Sequence, residues 1–127
     1  LGVAPVWLAV TGLMAWSIAK HAYDAIQDIP QDSDTGIITT AVHLGPRNTA
    51  IWATFWWGIS TVLFALVNIP VAIVNAAIAG LLVFGIFKTP TPKKAHELYK
   101  YSIAFPYIAG AVAGVQLVTG LVLGIYP

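Results

Sequence analysis

The chain has 127 residues, 58% hydrophobic and 9% charged, with a mean hydropathy of +0.81 and a net charge of +1. Soluble domains carry roughly 25% charged residues, so this composition belongs in lipid, and with Lys93-Lys94 as the longest basic run there is no electrostatic footprint for nucleic acid. The absence of cysteine excludes disulfides, thiolate metal sites and a cysteine nucleophile, which leaves carboxylates, His, Lys, Arg, Tyr and the backbone for any chemistry.

The first uncharged stretch covers residues 1–19, long enough at about 1.5 Å per residue to cross a hydrocarbon core of roughly 30 Å. It starts inside an apolar run without the charged leader of a signal peptide, as expected for the C-terminal part of a longer chain. A polar segment, 20–48, follows with four of the five acids and the turn-forming pairs Ile29-Pro30 and Gly45-Pro46, a large loop or loop-helix. Two further uncharged stretches, 49–67 and 71–87, flank a tight Asn68-Ile69-Pro70 connection and form a transmembrane hairpin. A second polar segment, 88–100, is expected as a loop carrying four lysines and Thr-Pro-Thr-Pro, and the last stretch, 101–126, contains Pro106, which kinks or starts the final helix. The expected fold is all-α: a single polytopic transmembrane bundle over 1–127 with about four membrane helices.

All Lys and Arg fall in the two polar segments: Lys20 and Arg47 in the first, Lys88, Lys93, Lys94 and Lys100 in the second. With four spans both segments share one face, and the positive-inside bias makes that face cytoplasmic. Trp7, Trp52, Trp56, Trp57, Tyr101, Tyr107 and Tyr126 lie mostly toward stretch ends, as belt and packing residues. Gly110 with Gly114, and Gly120 with Gly124, form small-xxx-small pairs that admit a close neighbouring backbone, and Ala76, Ala77, Ala79 and Gly80 give the third stretch a similar surface.

The chemistry-bearing segment is His21-Ala22-Tyr23-Asp24-Ala25-Ile26-Gln27-Asp28-Ile29-Pro30-Gln31-Asp32-Ser33-Asp34. On a continuous helix Asp24, Asp28 and Asp32 share one face, and their mutual repulsion, a few tenths of a kcal/mol per pair, invites a divalent cation. Mg²⁺ takes oxygen ligands and is commonly held by one or two carboxylates plus substrate phosphates, which points to a diphosphate-metal site. Pro30 is expected to kink the run between Asp28 and Asp32. The same spacing also fits an acidic interfacial loop that keeps a polar segment in water. Lys20, His21 and Arg47 flank the acids within reach of a diphosphate, although Lys20 and Arg47 equally fit positive-inside anchors. His43 and His96 read as ordinary interfacial residues, and Tyr99, Lys100 and Tyr101 open the last helix on the acids' side.

Beyond the acids the pattern continues through Gly36, Thr39-Thr40 and Leu44-Gly45. The stretch Asp24 to Gly45 resembles the second aspartate-rich motif of the UbiA-type intramembrane prenyltransferases, and His21-Ala22-Tyr23 with Ala25-Ile26-Gln27-Asp28-Ile29 is most similar to their carotenoid branch, the lycopene elongases. In that family the motif follows the sixth of nine transmembrane helices and three more complete the chain, the layout seen from Asp24 onward. The resemblance implies Mg²⁺-dependent transfer of a prenyl group from an isoprenoid diphosphate to a lipophilic acceptor, possible acceptors including a carotenoid such as lycopene, at a cytoplasm-facing cavity. It makes Asp28 and Asp32 the metal-holding, catalytic carboxylates and Asp24 a further metal position where members vary among Asn, Asp and Ser. Ser33 stands where many members carry Arg. The family's first Asp/Asn-rich motif is absent, so these residues alone are expected to be inactive. Quinone, ether-lipid and chlorophyll prenyltransferases share the motif, and a transporter half that coordinates a cation is the competing non-enzymatic class.

Overall fold

Helix starts are written into short polar junctions. In the computed structural model, which describes residues 3–125, Thr39 Oγ1 accepts the Val42 N–H at 3.1 Å, Asn68 Oδ1 the Val71 N–H at 3.3 Å and Thr91 Oγ1 the Lys94 N–H at 3.1 Å. Each cap satisfies a donor that a first helical turn leaves unpaired. Pro70 and Pro92 sit just inside, where a missing N–H costs nothing. These caps open α3 (Thr40–Ala65), α4 (Ile69–Lys88) and α5 (Pro92–Ser102). Ahead of them come α1 (Val3–Asp24), a 3₁₀ turn (Ala25–Asp28) and α2 (Ile29–Asp34), and α6 (Ala104–Val122) closes the order. Leu1, Gly2, Tyr126 and Pro127, which end the first and fourth uncharged stretches, lie outside the described residues.

The fold is therefore all-α, with no strand among the described residues. Two helical stretches are long and apolar enough to cross a membrane: α4, and α5 with α6 taken together as Pro92–Val122. α1 and α3 are long enough but less apolar, since α1 carries Lys20, His21 and Asp24 in its last turns and α3 carries Arg47, Asn48 and a Trp-rich middle. The second polar segment departs from the expected loop. Its Thr91-Pro92 start and its apolar stripe of Ala95 and Leu98 make it a helix that buries one face. Pro106 falls in the first turn of α6, as expected, and its missing N–H leaves the Ser102 carbonyl without a helical donor, which breaks α5 from α6 at Ile103.

α1 packs most extensively on α3, and α3 on α4. The seam is lined by small residues: Ala15, Ala19 and Ala22 of α1 are buried, as are Ala50 and Ala53 of α3. Two hydrophobic clusters result, one around Tyr23, Ile26, Trp57, Leu82, Ile86 and Leu98, the other around Phe64, Ala72 and Phe105, with Trp16 packed against both. Polar cross-links tie the helices further. Asn75, 1% exposed, donates to Ser60 Oγ at 2.8 Å and Thr61 Oγ1 at 3.0 Å. Asn68 and Gln116 exchange amide hydrogen bonds of 2.6 and 3.3 Å, clasping α6 to the start of α4. Such bonds suit helices in an apolar medium, where the driving force for burying aliphatic groups is weak.

Close helix approach occurs at other glycines than the sequence pattern indicates. Gly110 and Gly114 face open space, because α6 lies at the edge of the bundle, packed chiefly on α4 and α5, with Phe105 reaching Trp16 and Phe64. The tight contacts are at Gly12, where a Cβ would stand 2.8 Å from the Phe64 ring, and at Gly85, where it would stand 2.5 Å from Leu98 Cδ1. The outward faces of α4 and α6 remain apolar, with Ile73, Leu81, Phe84, Tyr107, Val115 and Val118 exposed.

Tyr23 is the largest fully buried side chain; it donates to the Leu82 carbonyl at 2.8 Å and packs on Trp57 with ring centroids 5.4 Å apart. Tyr23→Phe is expected to lower stability by about 1 kcal/mol, the typical net worth of one hydrogen bond, and Tyr23→Ala by about 3–5 kcal/mol through the cavity it leaves. Unfolding of the detergent-purified protein followed by near-UV circular dichroism checks both; equal stability of Tyr23→Phe and the parent would remove the hydrogen bond from the account.

Candidate functional site

The acids stand where α1 gives way to tighter coiling. A 3₁₀ turn advances about 120° per residue against about 100° in an α-helix, so passing through Ala25–Asp28 rotates the later residues away from the face they would otherwise share. Pro30, near the start of α2, is accommodated there instead of kinking a longer helix. The expectation of three carboxylates on one face is corrected accordingly. Among the described residues no group of three His, Asp or Glu side chains is placed to hold a metal ion.

Asp24 turns back along α1 and pairs with Lys20, while its Oδ1 is buried without a hydrogen-bond partner among the described residues. The Lys20 ammonium also lies 5.4 Å from the centroid of the Tyr99 ring, a cation–π contact that ties α1 to α5. Tyr23 lies four positions beyond the uncharged part of α1 and points into the core.

Asp28 is exposed and occupies the N-cap of α2 without making a side-chain cap hydrogen bond. Asp32 is half-buried, and its backbone carbonyl accepts the Ile37 N–H at 2.9 Å. Neither carboxylate forms an ion pair among the described residues. Arg47 is exposed at the start of the long part of α3. The structure thus separates the sequence candidates: Lys20 is engaged by Asp24, whereas Asp28, Asp32 and Arg47 keep their charges available.

The rest of the motif is architecture. Gly36, with φ of 78°, ends α2 in a paired turn in which Gly36 N–H reaches Ser33 O at 3.2 Å and Ile37 N–H reaches Asp32 O at 2.9 Å. Thr39 caps α3, and Ala41 is fully buried. Gly45, at φ 79° and ψ 169°, occupies a region almost closed to other residues, and it divides α3 into a short first part and a long second part that starts at Pro46. One connection was not legible in sequence. The His96 ring lies 2.9 Å from Gln27 Oε1, joining α5 to the 3₁₀ turn and bringing the two polar segments together. A lone His and a lone Gln 69 positions apart carry no pattern that pairs them.

Two recesses open near this end. One, of about 430 Å³, is lined by Ser17, Ile18, His21, Ala22, Thr40 and Trp52. It continues along α1 into an apolar groove of about 400 Å³ over Val10, Leu13 and Met14, with Ser17 and Ile18 common to both. Farther from the acids, an apolar cavity of about 380 Å³ lies among Trp16, Phe64 and Phe105. The site is therefore a charged rim above apolar grooves, fit for a molecule with an anionic head and a hydrocarbon body.

Comparison with known proteins places this geometry in context. The chain is 38% identical over 76 residues to a lycopene elongase/hydratase of Haloferax volcanii, a match covering 60% of this chain and 25% of that protein. It is 36% identical over 85 residues to one of Haloarcula japonica, covering 67% of this chain and 29% of the relative, and 38% identical over 85 residues to one of Halobacterium salinarum, covering 67% and 30%. The chain resembles carotenoid-modifying enzymes. It matches between a quarter and three-tenths of the length of these curated relatives. No family model and no solved structure matches it.

Because Gly36 and Gly45 have open space around their Cα atoms, substituting them tests backbone conformation alone. Gly36→Ala is expected to cost about 1 kcal/mol and Gly45→Ala about 1–3 kcal/mol. Thermal denaturation of the purified variants checks this order, and a Gly45→Ala protein as stable as the parent would rule out the strained geometry at the α3 break.

Proposed function

We propose that this chain supplies the second acidic half-site of a Mg²⁺-dependent membrane prenyltransferase that joins a prenyl group from an isoprenoid diphosphate to a lipophilic acceptor, most simply a carotenoid such as lycopene. The observation that carries this reading is that Asp28 and Asp32 are left unpaired at the charged rim of a chain similar to three lycopene elongase/hydratases. In this reading the protein is multi-pass, with α1, the long part of α3, α4 and α6 as its spans and the acidic rim on the cytoplasmic side, where the lysines and Arg47 collect.

The donor set fits such an ion in one form only. No all-protein cage exists among the described residues, but two carboxylates with the substrate's own phosphates are a common way to hold Mg²⁺. Asp28 and Asp32 would hold it, and when bound it supplies charge neutralisation for a departing diphosphate. The chain's own residues do the rest. Arg47 attracts the anionic head, Asp24 keeps Lys20 against Tyr99 at the edge of the rim, and the apolar grooves along α1 shield a reactive allylic cation from bulk water.

With the product of the complete coding region in membranes, Asp28→Ala and Asp32→Ala are each expected to reduce transfer of a labelled prenyl group to lycopene by about 100-fold or more. Asp24→Asn is expected to cost only about 10-fold, since it orients Lys20 and is not a direct ligand. Chelation of divalent ions should abolish transfer and added Mg²⁺ restore it. Undiminished turnover by both alanine variants, at matched membrane levels, would refute the metal-site reading.

A further inference from the structure

The recess between α1 and α3 holds a group that the prenyl-transfer reading leaves unused. His21 is exposed within it, and its ring makes no hydrogen bond among the described residues. The same recess is lined by Trp52, 40% exposed, and by Ser17 and Thr40. The apolar groove over Val10, Leu13 and Met14 leads into this recess along roughly 16 Å of α1, at about 1.5 Å per residue. The groove is apolar until it reaches its charged end, and there it meets an imidazole, an aromatic face and two hydroxyls.

That sequence of surfaces suits a reaction in which a hydrocarbon terminus becomes cationic and then takes up water. Resting on the prenyl-transfer reading, we infer that His21 is the base for a hydration step, accepting the proton of a water that attacks the acceptor's terminus while Trp52 faces the cation. The similar haloarchaeal proteins are named as hydratases as well as elongases. The electron count follows from ordinary alkene chemistry. The donor's bond between carbon and diphosphate oxygen breaks, and the π electrons of the acceptor's terminal double bond form the new carbon–carbon bond. A tertiary cation remains on the acceptor. A water oxygen then forms a carbon–oxygen bond to that carbon, and the released proton passes to a His21 ring nitrogen and on to solvent at the rim. The net change consumes acceptor, prenyl diphosphate and water, and yields hydroxylated product, diphosphate and a proton.

The neighbouring groups leave His21 as the base at this position. Lys20 is a cation held by Asp24, and Asp28 and Asp32 belong to the metal site in the proposed reading. Ser17 and Thr40 can orient a water but are poor proton acceptors. Imidazole is the side chain most often used as a general base, and a positioned base contributes about 10²–10⁴-fold to the step it serves. Without it the cation has a competing exit: loss of a proton from an adjacent carbon, which gives an elongated product with one more double bond and no hydroxyl.

The experiment reads a product ratio, which a merely slower or less abundant enzyme leaves unchanged. Membranes containing the product of the complete coding region, or its His21→Gln, Thr40→Val and Ser17→Ala variants, are given lycopene and an isoprenoid diphosphate in water enriched in heavy oxygen. Hydroxylated and non-hydroxylated elongated products are then separated by mass. The parent is expected to form mainly heavy-oxygen product. His21→Gln should shift the ratio toward the alkene by about 10-fold or more, and Thr40→Val and Ser17→Ala should shift it less, in the same direction. An unchanged ratio in His21→Gln overturns the assignment, as does a folded His21→Gln enzyme that forms neither product. If His21→Gln does not accumulate in membranes, Thr40→Val and Ser17→Ala decide: an unchanged ratio in both overturns the assignment and a common shift supports it. A parent that forms no elongated product at all refutes the prenyl-transfer reading instead, which keeps the two failures apart.

Discussion

The arrangement turns on how one phenol is buried. Tyr23 sits at the point where an apolar helix gives way to an acidic segment, and such a junction has no intrinsic reason to stay in register with the rest of the bundle. Its hydroxyl reaches the Leu82 carbonyl and its ring rests on Trp57, so a single side chain links α1, α3 and α4 at that level. A buried hydroxyl without a partner is costly, which makes this register the favourable one. Ile26, fully buried one turn later, continues the anchoring. Asp28 and Asp32 thus hang from a fixed point, although they themselves remain accessible.

Around that anchor the polar segments close on each other. Lys20 faces Tyr99, and Gln27 meets His96, so α5 packs across the 3₁₀ turn. Each contact is weak alone. Together they make the charged end a joined surface instead of two independent loops. The apolar recesses then open beneath that surface, which is the geometry a head-and-tail substrate requires.

Much of the scaffold was legible from residues alone. Uncharged stretches separated by proline-containing polar junctions marked the helices, since an apolar run has few other ways to satisfy its backbone. The second polar segment was harder. Its lysines read as a loop, yet Ala95 and Leu98 at helical spacing bury one face, and a short stripe of that kind is easily masked by charge. The acids illustrate a different limit. Their spacing of four promises a shared face only if the coil stays α-helical, and the tightening at Ala25–Asp28, where Ile26 is buried and Pro30 stands just inside the next helix, is not something a local count reveals. In the same way, Gly36, Thr39 and Gly45 stood out as pattern, but their roles as turn, cap and break depend on φ and ψ values that the letters do not carry.

The three side-chain caps have a consequence for how the chain is made. Thr39, Asn68 and Thr91 each bond to a backbone N–H three residues ahead, so each helix start is specified by a handful of consecutive residues. Nucleating a first turn is the slow and unfavourable part of helix formation, and a local cap lowers that barrier without help from distant segments. During synthesis, α3, α4 and α5 can therefore acquire their registers one after another as they emerge, before the helices that follow them are available to pack on. The long-range links, Tyr23 to Leu82 and Asn68 to Gln116, join helices that are already in place. Assembly becomes a matter of docking finished parts, and an error in docking can be undone without unwinding a helix.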